Sequence, residues 1–87
     1  MKPEIILEHL LELADRMGVR IVMGKGDFNG GGCLVKEEKV IVVNKIKPME
    51  YQLKVIANGL AKYDISEFYI IPALRSYIEE DLRISTN

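Results

Sequence analysis

The stretch Lys39-Val40-Ile41-Val42-Val43-Asn44 decides the architecture. Its four central residues are apolar and β-branched, with no polar break. Successive side chains of a strand point to opposite faces, so a strand with one wet face alternates apolar and polar residues. An unbroken run implies cover on both faces, by helices or by another subunit. Upstream, Glu37-Glu38 reads as a tight turn, Cys33–Lys36 as the strand entering it, and Val19–Met23 as a further strand. Between these strands lies Gly24-Lys25-Gly26-Asp27-Phe28-Asn29-Gly30-Gly31-Gly32, with five glycines in nine residues.

Helical periodicity flanks this β region on both sides. Pro3 suits a first helical turn. Ile6, Leu10, Leu13 and Met17 then form one stripe, and Glu4, Glu8, Glu12 and Asp15 gather opposite it, until Gly18 stops the helix. Pro48 opens a second helix over 48–62, with Met49, Leu53, Ile56 and Leu60 inward and Tyr51 and Val55 on another side, near Asn58 and Lys62. Asp64–Glu67 is a break with capping residues. Phe68–Ile71 reads as a last strand or a buried helical turn, with the turn preferred because Pro72 follows, and Pro72 starts a third helix to Leu82, with fraying from Ile84. The expected fold is a single α+β domain over 1–87: an N-terminal helix, a three-stranded, mainly antiparallel sheet and two C-terminal helices.

Bulk composition excludes several classes. With 48% hydrophobic and 29% charged residues in 87, the chain is globular in type. A 9.9 kDa monomer should expose roughly 5,200 Å², a size at which self-association adds useful burial. Twelve basic and 13 acidic residues give a net charge of -1, so nucleic acid is not an expected partner. The lysines at 36, 39, 45 and 47 are interrupted by Glu37, Glu38 and Glu50. Acids within the apolar run MKPEIILEHLLEL argue against a signal peptide. No apolar run approaches the ~20 residues that cross a bilayer, so no membrane association is expected. The one cysteine allows no internal disulfide and fits a reducing, cytoplasmic setting.

No complete reactive set is visible. Phosphate loops place backbone amides at a helix start, whereas these glycines lead into a strand and read as a flexible hairpin connection or bulge. A phosphate-bearing ligand at Lys25, Gly30, Gly31, Gly32 and Cys33 is the binding alternative, since glycines allow close backbone approach. Cys33 and His9 are the only thiol and imidazole. A small Cys-dependent hydrolase or transferase needs them in contact. One Cys and one His do not make a metal site of the usual three or four ligands, and no cofactor is expected. Gly59 in mid-helix costs about 1 kcal/mol against Ala, which implies close packing or a helix break.

Gly31-Gly32-Cys33-Leu34-Val35, Val40-Ile41-Val42-Val43-Asn44-Lys45 and Ile71-Pro72-Ala73-Leu74-Arg75 resemble a family of small uncharacterised bacterial proteins over most of the chain. That resemblance implies a pattern and no activity. The order helix, meander ending in Asn, then a helix with Ala57-Asn58-Gly59-Leu60-Ala61-Lys62-Tyr63 is similar to the start of gluzincin-like metallopeptidases associated with phage repressors. There the second helix carries His-Glu-x-x-His, whose histidines bind zinc and whose glutamate activates water. Asn58, Gly59 and Lys62 stand at those positions here. The resemblance therefore implies a metal-free relative without that hydrolytic route. The leading expectation is a non-catalytic interaction module, a homodimer or a binder of another protein, that uses Val40 and Val42 or the Tyr51 and Val55 helix face.

Overall fold

The computed structural model describes residues 1–85, with side chains through Glu80. Helix α1 spans Pro3–Met17, strands β1, β2 and β3 span Arg20–Gly24, Gly31–Val35 and Glu38–Asn44, and helices α2 and α3 span Met49–Ala61 and Pro72–Ser85. The architecture is α+β, as expected, but the sheet is mixed. Its order is β1-β3-β2, with β1 parallel and β2 antiparallel to the central β3. The glycine-rich segment is therefore not a hairpin connection. It carries the chain from β1 past the end of β3 to the far edge of the sheet.

The central position of β3 explains its unbroken apolar run. Ile41 and Val43 are fully buried in a core with Leu10 and Leu13 of α1, Leu53, Ile56 and Leu60 of α2, and Leu74 and Ile78 of α3. Val40 and Val42 point to the other face. Val40 lies between Arg20 and Cys33, and Val42 between Val22 and Gly31. Flanking strands alone bring Val40 to 3% exposure, helped by the Arg20–Glu38 ion pair at 3.2 Å on the same face. Helices cover one face only: among the described residues, they join the core on the Ile41 and Val43 side.

Local corrections follow from backbone chemistry. Strand β2 begins two residues before the expected Cys33, inside the glycine run. The hairpin turn is Lys36-Glu37, one residue earlier than expected, with φ of 51° and 69°. Positive φ at both central positions marks the type I′ turn that matches strand twist, normally Asn-Gly. Left-handed backbone costs a side-chain-bearing residue about 1–2 kcal/mol. Glu37→Gly, partly offset by greater freedom when unfolded, should raise stability by about 0.5 kcal/mol and Tm by roughly 2–4 °C; thermal melts check this.

Phe68–Ile71 is neither strand nor helical turn. Pro72 disfavours helical backbone just before it. Buried Ile70 still anchors the segment to the core, and Arg16 Nη1 donates to the Tyr69 carbonyl at 2.9 Å. In the preceding turn, Ser66 donates its hydroxyl to Asp64 Oδ1 at 2.6 Å and its N–H at 3.0 Å. Those two bonds, the hydroxyl first, hold the Asp64 carboxyl below its ordinary value. Helix α3 continues past Leu82 to Ser85; of the expected frayed end, Thr86 and Asn87 lie outside the described residues. No helix among the described residues is long and apolar enough to cross a membrane.

Candidate groove between the edge strand and the second helix

Helix α2 has two working faces. Leu53, Ile56, Ala57 and Leu60 enter the core. Tyr51, Lys54, Val55, Asn58 and Lys62 recur at three- and four-residue steps, so they share another face. This second face and the start of β2 enclose a groove of about 300 Å³, whose opposite wall is the backbone of Gly30, Gly31 and Gly32. Two features read separately in the sequence, the glycine run and the Tyr51/Val55 patch, therefore form one site.

The close approach of these walls requires glycine at position 30. Its φ is +96°, and a Cβ there would sit 2.6 Å from the Val42 carbonyl oxygen and 3.5 Å from a Val55 methyl carbon. The loop is also held from below. Asn44 is buried, and its Nδ2 donates to the carbonyls of Gly26 at 2.8 Å and Phe28 at 2.6 Å, while its Oδ1 accepts from the Ile46 N–H at 3.2 Å. Buried Gln52 donates to the carbonyls of Lys45 at 3.3 Å and Lys47 at 2.8 Å. Two side-chain amides thus fix the chain on both sides of the junction between β3 and α2. The groove's strand wall is placed by that scaffold.

The groove is amphipathic. Val55 is half-buried and Tyr51 is 36% exposed, with Lys47 Nζ 5.6 Å from its ring centroid. Lys54 and Lys62 are exposed, and neither has an ion-pair partner among the described residues. Among the described residues, no carboxylate lines the groove. Beyond it, the outer edge of β2 has no neighbouring strand among the described residues. Leu34 and Val35 on that strand are 67% and 47% exposed.

The remaining sequence candidates lie elsewhere. Lys25 is exposed in the crossing loop and does not line the groove. Cys33 is exposed, and its register opposite Val40 points it to the face away from the core. His9 lies on α1 in a separate depression with Glu12, Arg16 and Tyr69. The fold thus keeps the thiol and the imidazole on opposite sides of the sheet. Val40 is buried and Val42 half-buried on the bare sheet face, where Val22 is the more exposed neighbour. Lys54 and Lys62 are groove residues that charge and composition do not single out. Their helical spacing from Tyr51 and Val55 was the available signal. Among the described residues, no three His, Cys, Asp or Glu side chains are grouped to hold a metal ion. No family model, curated protein or solved structure matches this chain.

Proposed function

We propose that this chain is a non-catalytic interaction module and that it takes an extended polypeptide segment along β2, in the groove between β2 and α2. The observation that carries this reading is the open, apolar edge of β2 beside a helix face with Tyr51 and Val55. An unpaired edge offers a row of N–H and C=O groups to a further strand. Strand addition takes affinity from these backbone bonds and specificity from pockets for alternate side chains. Glycine at 30–32 leaves that backbone unshielded.

The test selects binders from a displayed library of random dodecapeptides and maps them by amide shifts on the labelled chain. Shifts concentrated at Gly31–Val35 and along 51–62, and lost in Val55→Glu, support the reading. Val55 is half-buried on the groove wall and packs against the margin of the core, so the loss counts only if the variant's circular dichroism and Tm match the parent's. Shifts confined to other surfaces overturn the reading.

A second copy on the bare sheet face is the other reading. The chain exposes 5741 Å², against the roughly 5,200 Å² expected for its mass. Val22, Val42 and Val35 lie on that face by register. Sedimentation velocity at high micromolar concentration checks it. A dimer weakened by Val22→Glu supports self-association there, and a monomer removes it without affecting the groove.

A further inference from the structure

We infer that the groove selects an acidic segment, with carboxylates four residues apart on an extended strand. This inference rests on the strand-addition reading above and adds the chemistry of the partner. Lys54 and Lys62 are exposed cations on the groove face of α2, without ion pairs among the described residues. Lys47 adds a third cation near the Tyr51 end. Among the described residues, no carboxylate lines the groove to neutralise them. An anionic occupant meets complementary charge there, and complementarity of this kind sets partner choice.

Spacing decides what kind of anion fits. Lys54 and Lys62 are eight positions apart, about 12 Å along the axis of α2. Two cations set that far apart along a helix favour an occupant that carries two separated anions. An extended strand rises about 3.4 Å per residue. Residues i and i+4 then lie about 14 Å apart and on the same side, matching both lysines and the reach of their stems. Residues i and i+3 point to opposite sides. The apolar side chain between the two acids faces Val55.

The same charges argue against a second copy in this groove. Its β2, Gly31–Val35, carries no carboxylate. A two-fold pairing of β2 with β2 is self-complementary and would bring the Lys54 and Lys62 pairs of both copies toward each other.

The test uses the full chain and fluorescein-labelled dodecapeptides of alternating Thr and Val. One carries Glu at i and i+4, one Glu at i and i+3, one Lys at i and i+4, and one no charge. Each exposed ion pair is weak, but the two Glu make two attractive pairs where the two Lys make two repulsive ones. The i, i+4 Glu peptide should therefore bind roughly ten-fold tighter than its Lys counterpart by anisotropy at low salt. Lys54→Glu/Lys62→Glu should invert that order, and Lys54→Gln/Lys62→Gln should abolish it. Equal binding of all four peptides, with β2 amides protected from hydrogen exchange, overturns the acidic preference and leaves strand addition standing. If no peptide protects β2, the reading beneath it falls as well. Tighter binding of a thymidine octanucleotide than of the Glu peptide overturns the inference in favour of a nucleic-acid strand.

Discussion

Asn44→Asp should nearly unfold this domain at neutral pH and spare much of it in acid. The Asn44 amide donates to two backbone carbonyls, of Gly26 and Phe28, from a side chain only 2% exposed. An ionised carboxylate removes both donors and sets negative charge against both oxygens. An orphaned buried polar group costs about 1–3 kcal/mol, and more when charged. A total of about 4 kcal/mol is expected, against a typical domain stability of roughly 5–15 kcal/mol. At about 4–8 °C per kcal/mol for this size class, Tm should fall by some 15–30 °C. The sign with pH follows from linkage. Burial and the two carbonyls favour the neutral acid, so the folded pKa of the introduced carboxyl rises above its unfolded value of about 3.9. The penalty is smallest below that value and grows as pH rises through the folded pKa. Asn44→Ala, which also loses both donors, should destabilise by about 2 kcal/mol with no such pH dependence. Chemical denaturation of both variants at pH 4 and pH 8 checks the difference. Equal losses for Asn44→Asp at both pH values would remove the carbonyl clamp as the explanation.

That clamp shows where the sequence was legible and where it was not. Helix α1 follows from a periodicity bounded by Pro3 and Gly18, both local signals. The existence of each strand was equally local. Strand order was not, because side-chain alternation reports faces and is silent about neighbours. Val40–Val43 reads the same for a strand covered by two layers and for one flanked by two strands. The protein takes the second arrangement, in which Arg20 and Cys33 shield Val40. Asn44 also reads as an ordinary strand end. Its role depends on carbonyls 16 and 18 residues away in the chain.

The groove was half legible for the same reason. Helical spacing alone unites Tyr51, Lys54, Val55, Asn58 and Lys62 on one face. That this face meets Gly30–Gly32 depends on β2 being an edge strand, and so on the chain crossing past β3. The glycine run has a structural role in that crossing and also leaves the strand edge bare. One segment thus sets the topology and the site's accessibility, so loop variants should change folding and binding together. Charge variants at Lys54 and Lys62 should change binding alone.

Gly59→Ala should destabilise the protein although alanine is the better helix former. A Cβ at position 59 would sit 2.6 Å from Cδ1 and 2.9 Å from Cγ1 of Ile41. Both residues are buried, and Ile41 has no exposed surface. Overpacking of this kind costs typically 1–3 kcal/mol, while replacing glycine in a helix returns about 1 kcal/mol. A net loss of about 1 kcal/mol is expected, with α2 pushed off the sheet at its contact with β3. The sharper result comes from a double-mutant cycle. Ile41→Ala alone should cost about 2–5 kcal/mol by leaving a cavity. In that background Gly59→Ala places a methyl group into the vacated space and keeps its helical advantage, so it should stabilise. The sign of one substitution thus reverses with the side chain opposite, a coupling of roughly 1–3 kcal/mol that neighbours in contact can show. Urea denaturation of the four proteins measures it. If Gly59→Ala has the same effect in both backgrounds, close packing is not why a glycine stands in mid-helix. A stabilising effect in both would mark the position as free of Ile41, and the approach of α2 to β3 would need another cause.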